Sequence, residues 1–136
     1  MSAFDLSGKV AIVTGASRGL GQTFARALAR AGADLVITSR TLSSLAPLQK
    51  EMESLGRRVV PLELDVRDEG SIRRVVAAAA KAFDHIDILV NNAGCNVRKK
   101  AVDVTWEDWN LVHETNLRGT FFVAQAVAKK MMPRGY

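Results

Sequence analysis

Eight residues, Thr14-Gly15-Ala16-Ser17-Arg18-Gly19-Leu20-Gly21, narrow the choice of fold more than any other stretch. They follow Val10-Ala11-Ile12-Val13, an apolar run of strand length. They lead into Leu20, Phe24, Ala27, Leu28 and Ala31, which recur at the spacing of one helical face. The glycines Gly15, Gly19 and Gly21 therefore sit where a strand turns into a helix. Glycine allows a tight turn there and lets a ligand approach with no Cβ in the way. The helix start adds unpartnered N–H groups and the positive end of the helix dipole, so the turn suits a pyrophosphate. The spacing is T-G-x-x-x-G-x-G rather than the common G-x-G-x-x-G, and the lack of a following Gly-Lys-Ser/Thr excludes a Walker loop. The alternative is a glycine-rich turn that holds no ligand.

The rest of the chain alternates. Strands are expected at 10–14, 35–38, 59–64 and 88–90, with a first helix over 19–31 stopped by Gly32. A second helix turns Leu45, Leu48, Met52 and Leu55 inward. Ser43 or Ser44 is its expected cap, because Pro47 is tolerated only in a first turn. Asp68 caps a third helix with Ile72, Val75, Val76, Ala79 and Phe83 inward, and Thr105 with Asp108 forms a capping box for a long last helix to about Met132. Strand-helix alternation of this kind predicts an α/β fold. It is a Rossmann-like, doubly wound parallel sheet in a three-layer αβα arrangement, with short apolar strands buried on both sides. Residues 1–136 read as one domain. No run of about 18 apolar residues offers a membrane span. Nineteen basic and fourteen acidic residues leave +5, but the cations are scattered among few aromatics, so no nucleic-acid partner is expected. The single cysteine, Cys95, excludes an internal disulfide, and the first residues lack a leader pattern; a cytoplasmic setting is expected.

In such sheets the ligand lies beyond the carboxyl ends of the strands. Those ends carry Gly15, Ser17, Arg18, Gly19, Leu20 and Gly21 after the first strand, then Ser39-Arg40, Asp65-Val66 and Asn92-Ala93-Gly94. An NAD site usually places an acid about 20 residues past the glycines. Here Arg40 stands in that region, able to pair with a 2′-phosphate, with Arg18 near enough to join it. Two solvated surface arginines are the alternative. Asn116 and Gly119 are both poor helix formers, and their closeness predicts a deformed last helix. His85 and His113 fall in different elements and do not form a metal pair. Cys95 reads as a small filler beside the cleft. Asn96-Val97-Arg98-Lys99-Lys100 either borders a substrate or is a solvated loop.

At the glycine turn and at Asn91-Asn92-Ala93-Gly94 the chain resembles the short-chain dehydrogenase/reductase family, which has this glycine spacing and an N-N-A-G motif. The resemblance covers essentially all 136 residues but only the N-terminal half of the family's usual domain, so a C-terminal half is expected to be absent from this chain. It implies NADP(H), because basic residues at Arg18 and Arg40 go with that cofactor in the family. It also implies that Asp65 accepts from the adenine amino group and that the small residues of Asn92-Ala93-Gly94 leave room for ribose and nicotinamide. By the same resemblance Asn116 belongs to the catalytic tetrad and helps hold a water in a proton relay. The other three members, a serine after a fifth strand and a Tyr-x-x-x-Lys pair, are not found; Tyr136, the sole tyrosine, has no lysine after it and is not assigned. Sugar-acid dehydrogenases of the family have a basic stretch similar to 96–100. The implied function is hydride transfer between NADP(H) and a small carbonyl compound or secondary alcohol, sugars and sugar acids included, in a dimer or tetramer. These 136 residues alone are expected to be inactive. The alternative is a truncated, non-catalytic dinucleotide-binding fragment.

Overall fold

Each apolar run becomes a strand. In the computed structural model, which describes residues 3–135, β1 is Val10–Val13, β2 Asp34–Ser39, β3 Val59–Glu63 and β4 Ile88–Val90. All pair in parallel, in the order β3-β2-β1-β4. The chain steps outward from β1 to β2 and β3, then returns to the other side of β1 for β4, so the direction of travel reverses between β1 and β4. Helices fill the intervals: α1 Gly19–Arg30, α2 Ala46–Ser54, α3 Glu69–Phe83, α4 Trp106–His113 and α5 Thr120–Met131.

Side chains alternate along each strand, so the sheet feeds two cores. Ala11, Val13, Leu35 and Ile37 meet Ala25 and Ala29 of α1 and Leu48 and Met52 of α2. Val10, Ile12 and Val36 meet Ile72, Val75, Val76, Ala79 and Phe83 of α3 and Val123 and Val127 of α5. These are the three expected layers. β1 and β2 are buried on both sides, whereas β3 and β4, the outer strands, are only half covered. No helix among the described residues is long and apolar enough to cross a membrane.

Three local expectations need correction. The first helix buries its apolar stripe only in part: Leu28 packs against the core, but Leu20 is 66% and Phe24 37% exposed, while Gly21, Ala25 and Ala29 face the sheet. Small side chains let α1 dock close against the sheet, and that close approach decides which of two adjacent faces goes inward. Leu55 is exposed, and neither Ser43 nor Ser44 caps α2. A 3-10 turn at Leu42–Leu45 runs straight into α2, and the Ser44 hydroxyl donates back to the Thr41 carbonyl at 2.5 Å. Pro47 does sit in the first turn, where no N–H is needed. The long last helix is interrupted: α4 and α5 are separated by a π-helical segment, Glu114–Gly119, and α5 gives way to a 3-10 turn at Met132–Arg134. The predicted deformation thus falls on Asn116 and Gly119. Phe121 and Phe122 lie exposed, edge to face with each other, and the buried residues of α5 are Val123 and Val127. Asp68 caps α3 through Gly70 and Ser71, and the Thr105–Asp108 capping box opens α4, both as the sequence predicts.

The opposite end of the sheet is anchored by Asp87, whose side chain is 3% exposed. It accepts from the Val10 N–H at 2.8 Å and faces Arg134 at 3.2 Å, His85 at 3.3 Å and Lys9 at 3.9 Å. Asp87 thereby ties the start of β1 to the segment entering β4. Asp87→Ala should lower stability by about 1.5–3 kcal/mol, the worth of hydrogen bonds to a charged group. Urea denaturation checks this, and Asp87→Asn should recover part of the loss by keeping an acceptor for Val10.

Candidate functional site

The turn after β1 is held from below by its own strand ends. Thr14 donates its N–H to the Val90 carbonyl at 3.1 Å, and Ala16 donates to the Thr38 carbonyl at 2.8 Å. The Thr14 hydroxyl accepts from the N–H groups of Asn92 and Ala93 at 3.0 and 2.9 Å. The Asn92 amide then donates to the carbonyls of Thr14 and Gly15, both at 3.1 Å. This knot explains two of the glycines. Gly15 has φ +64°, and a Cβ on it would lie 2.9 Å from the Ala93 Cα. A Cβ on Gly21 would lie 2.1 Å from the Gly15 carbonyl oxygen and 2.7 Å from the Asn92 amide nitrogen.

Above the knot the turn is open. A Cβ at Gly19 would meet nothing within 4 Å. Arg18 occupies the N-cap position of α1 and makes no side-chain cap bond, and no acid stands in the first turn. In α3 and α4 side chains satisfy these N–H groups, whereas no side chain among the described residues does so at the start of α1. Gln22 pins the loop by donating to the Ser17 carbonyl at 2.8 Å. Leu20 projects outward beside Gly19.

After β2, Ser39 and Arg40 divide. The Ser39 hydroxyl is almost buried, accepts from the Thr41 N–H at 3.1 Å and pairs with the Ser44 hydroxyl at 2.9 Å. The Arg40 side chain is exposed and, like that of Arg18, makes no hydrogen bond or ion pair with another described residue. After β3, Asp65 accepts from the Arg67 N–H at 2.9 Å through one carboxylate oxygen. Val66 is buried beneath it.

After β4, Ala93 and Gly94 lead to Cys95, and Asn116 reaches across from the π segment. Its amide oxygen accepts from the Cys95 N–H and its nitrogen donates to the Cys95 carbonyl, both at 2.8 Å. A Cβ on Gly94 would crowd the same amide oxygen at 3.2 Å. Asn116 is thus a clamp on the loop after β4, and this accounts for a poor helix former at that position. The Cys95 thiol faces the Leu111 carbonyl at 3.7 Å. Of the basic stretch, Lys99 is taken: its ammonium contacts Asp108 at 2.5 Å. That contact, with the Thr105 N–H, holds the Asp108 carboxyl below its ordinary range. Arg98 and Lys100 keep side chains without a described partner. His113 stacks on Trp109 and His85 faces Asp87; no metal-ligating cluster occurs among the described residues. Tyr136 lies outside the described residues.

Thr14 and the Cys95 backbone are the members that sequence reasoning passed over. Thr14 had a local signal, a hydroxyl at the last turn of a buried strand. The part played by the Cys95 main chain had none, since a backbone group carries no sequence mark.

A parallel sheet in this order, with a glycine turn at its point of reversal, defines a Rossmann-type α/β protein. The chain belongs to the short-chain dehydrogenase family, whose model matches residues 9–136. It is 43% identical over 132 residues to gluconate 5-dehydrogenase of Gluconobacter oxydans (strain 621H), covering 97% of this chain and 52% of that one. It is 41% identical over 137 residues to 2-dehydro-3-deoxy-D-gluconate 5-dehydrogenase of Escherichia coli (strain K12), covering 99% and 53%. Among solved structures, a short-chain type dehydrogenase/reductase from Mycobacterium marinum superposes with a TM-score of 0.94 at 35% identity, covering 97% of this chain and 52% of that one. A short chain dehydrogenase from Burkholderia cenocepacia J2315, in complex with NADP, gives 0.89 at 37% identity, covering 93% and 52%. The chain spans about half the length of the curated relatives it matches.

Gly21→Ala tests the knot. The added methyl has no room against the Gly15 carbonyl, so α1 must shift, and stability should fall by about 1–3 kcal/mol. Thermal or urea unfolding measures this, and Gly70→Ala, in the first turn of α3 where the φ is not left-handed and the nearest atom to a Cβ is the flexible end of Arg74 at 3.3 Å, controls for loss of glycine as such.

Proposed function

We propose that this chain binds NADP(H) and forms the cofactor half of a cytoplasmic enzyme that moves a hydride between nicotinamide and a small carbonyl compound or secondary alcohol. The observation that carries this is the convergence of four loops, one beyond each strand's carboxyl end, around a helix start left uncapped. Gly15, Ser17, Gly19, Leu20 and Gly21 would hold the pyrophosphate against the N-terminus of α1. Arg18, Ser39 and Arg40 would take the 2′-phosphate, Asp65 and Val66 the adenine, and Asn92, Ala93 and Gly94 the ribose and nicotinamide. The open space over Gly19 and two unengaged guanidinium groups fit a phosphorylated dinucleotide. When bound, the cofactor would supply or take up the hydride; the chain's residues would hold, orient and enclose it. Asn116 would act at the catalytic end by fixing the Gly94–Cys95 loop and, as in the family, by helping to hold a water for proton relay.

Hydride delivery to a carbonyl leaves an alkoxide that needs a positioned acid. Residues 1–136 contain no Tyr-x-x-x-Lys, so by themselves they would bind cofactor without reducing a carbonyl. Half coverage of the relatives supports a proton donor supplied from outside these residues. The exposed aromatic side chains of α4 and α5 suit burial in a dimer or tetramer.

Cofactor choice is tested by calorimetric titration of NADPH and NADH. Hydrogen bonds to charged groups are worth roughly 10- to 150-fold in affinity, so Arg40→Ala should weaken NADPH by that order and leave NADH little changed. Arg40→Asp should reverse the preference. Equal affinities in the parent would remove the case for NADP(H).

The relatives named for gluconate and its 2-dehydro-3-deoxy derivative support an acidic sugar as substrate. With Lys99 held by Asp108, Arg98 is the better placed cation to meet a substrate carboxylate. In a form of the protein that carries the proton donor, Arg98→Ala should raise KM for acidic sugars about tenfold or more and leave neutral carbonyl substrates nearly unchanged. A uniform change in steady-state kinetics would assign Arg98 a structural role.

A further inference from the structure

The π segment Glu114–Gly119 touches two loops that the sheet keeps apart. At its middle, Asn116 clamps Cys95 in the loop after β4. At its ends it meets the loop after β3. One oxygen of the Glu114 carboxylate accepts from the Arg67 guanidinium twice, at 3.2 and 3.1 Å, and faces Arg118 at 3.7 Å. Arg118 reaches back toward the Arg67 carbonyl at 3.5 Å. At the far end Gly119 is packed so closely on Val66 that a Cβ would lie 2.7 Å from its carbonyl oxygen. Asp65, Val66 and Arg67 are consecutive, and the Arg67 N–H is bonded to the Asp65 carboxylate. A displacement of Asp65 therefore reaches both ends of the segment whose centre carries Asn116.

We infer that Glu114, through Arg67, is a positioning residue that couples occupancy of the Asp65–Val66 loop to the placement of Asn116. The coupling rests on the reading that the adenosine end of a dinucleotide occupies that loop. A π-helical turn is a local departure from the favoured helix geometry and is found mostly at functional sites. Such a turn is held by its surroundings, and here, besides the two Asn116 bonds to Cys95, these are the Glu114–Arg67 ion pair, the Arg118 bond to the Arg67 carbonyl and the Gly119 contact with Val66, all three to the loop after β3. A ligand that orders the loop orders the turn. An adenosine phosphate lacking nicotinamide would then pre-set the Asn116–Cys95 clamp at a place it never touches, which is linkage between two subsites. Glu114 itself contacts neither subsite, so its effect runs through Arg67 and the segment's backbone.

The test is amide hydrogen exchange of the chain with adenosine 2′,5′-bisphosphate, a probe that has no nicotinamide. In the parent, exchange should slow at 65–67 and also at 114–119, by about fivefold or more at the latter. Glu114→Gln should keep the slowing at 65–67 and lose it at 114–119. The swapped pair Arg67→Glu with Glu114→Arg should regain it, which general loosening of the helix would not allow. Equal protection of 114–119 in parent and Glu114→Gln overturns the inference, as does a swapped pair that fails to regain it. Slowing at 65–67 with none at 114–119 in the parent also overturns it while leaving the cofactor reading intact. No slowing in the loops after β1, β2 and β3 removes the cofactor reading, and the coupling with it.

Discussion

The Gly15 carbonyl is the point on which the rest of the site depends. It receives the Asn92 amide, it lies against Gly21 of α1, and it belongs to the residue that turns the chain out of β1. The glycine turn, the start of the helix that follows it and a residue 77 positions further along the chain therefore meet at one oxygen. This part-buried carbonyl takes its donor from Asn92, which reaches it only because the loop after β4 comes close. That approach leaves no space for a side chain at Gly15 or Gly21. The glycine spacing is thus dictated by packing beneath the turn as much as by access above it. The functional consequence is a helix start whose position relative to β4 is fixed within the strand-end hydrogen bonds, without any side-chain cap.

Much of this was legible in the sequence because it is local. β4 falls residue for residue on Ile88–Val90, and Asp68 and Thr105 cap the helices that their spacing announces. The interruption of the last helix was legible because Asn116 and Gly119 oppose a regular helix by their own chemistry. The inward face of α1 was not. Two neighbouring faces of that helix are apolar, and periodicity cannot tell the one that packs closely from the one left outside. Ser44 was misread for a related reason: a hydroxyl near a helix start has several acceptors, and the preceding 3-10 turn offered a nearer one. In the site, the positions of the glycines, Arg40, Asp65 and Asn92 followed from strand ends. Which of the basic residues 98–100 is free did not, because it depends on a contact between Lys99 and a helix cap nine residues away.

The two ends of the sheet are built on opposite principles. At the amino end, Asp87 gathers charge and is enclosed, and its partners belong to the scaffold. At the carboxyl end, Arg18, Arg40, Arg98 and Lys100 stand apart from acids and from one another's ion pairs. Buried, satisfied charge fixes the frame, and the cations left without described partners stand at the opposite end of the sheet. This separation gives the chain's positive balance a local meaning that its total does not convey.

The π segment has a consequence for how the chain can vary in length. Each residue of an α-helix turns about 100°, so removing one residue between Asn116 and Val123 would rotate α5 by that angle relative to α4. Val123 and Val127 would swing away from the sheet, and Ala124 and Ala128, one residue further on, would take their places. The surplus residue in the turn is a register shim. Side-chain replacements along α5 are judged by the core they face, but a single insertion or deletion ahead of Val123 changes which residues the core faces at all.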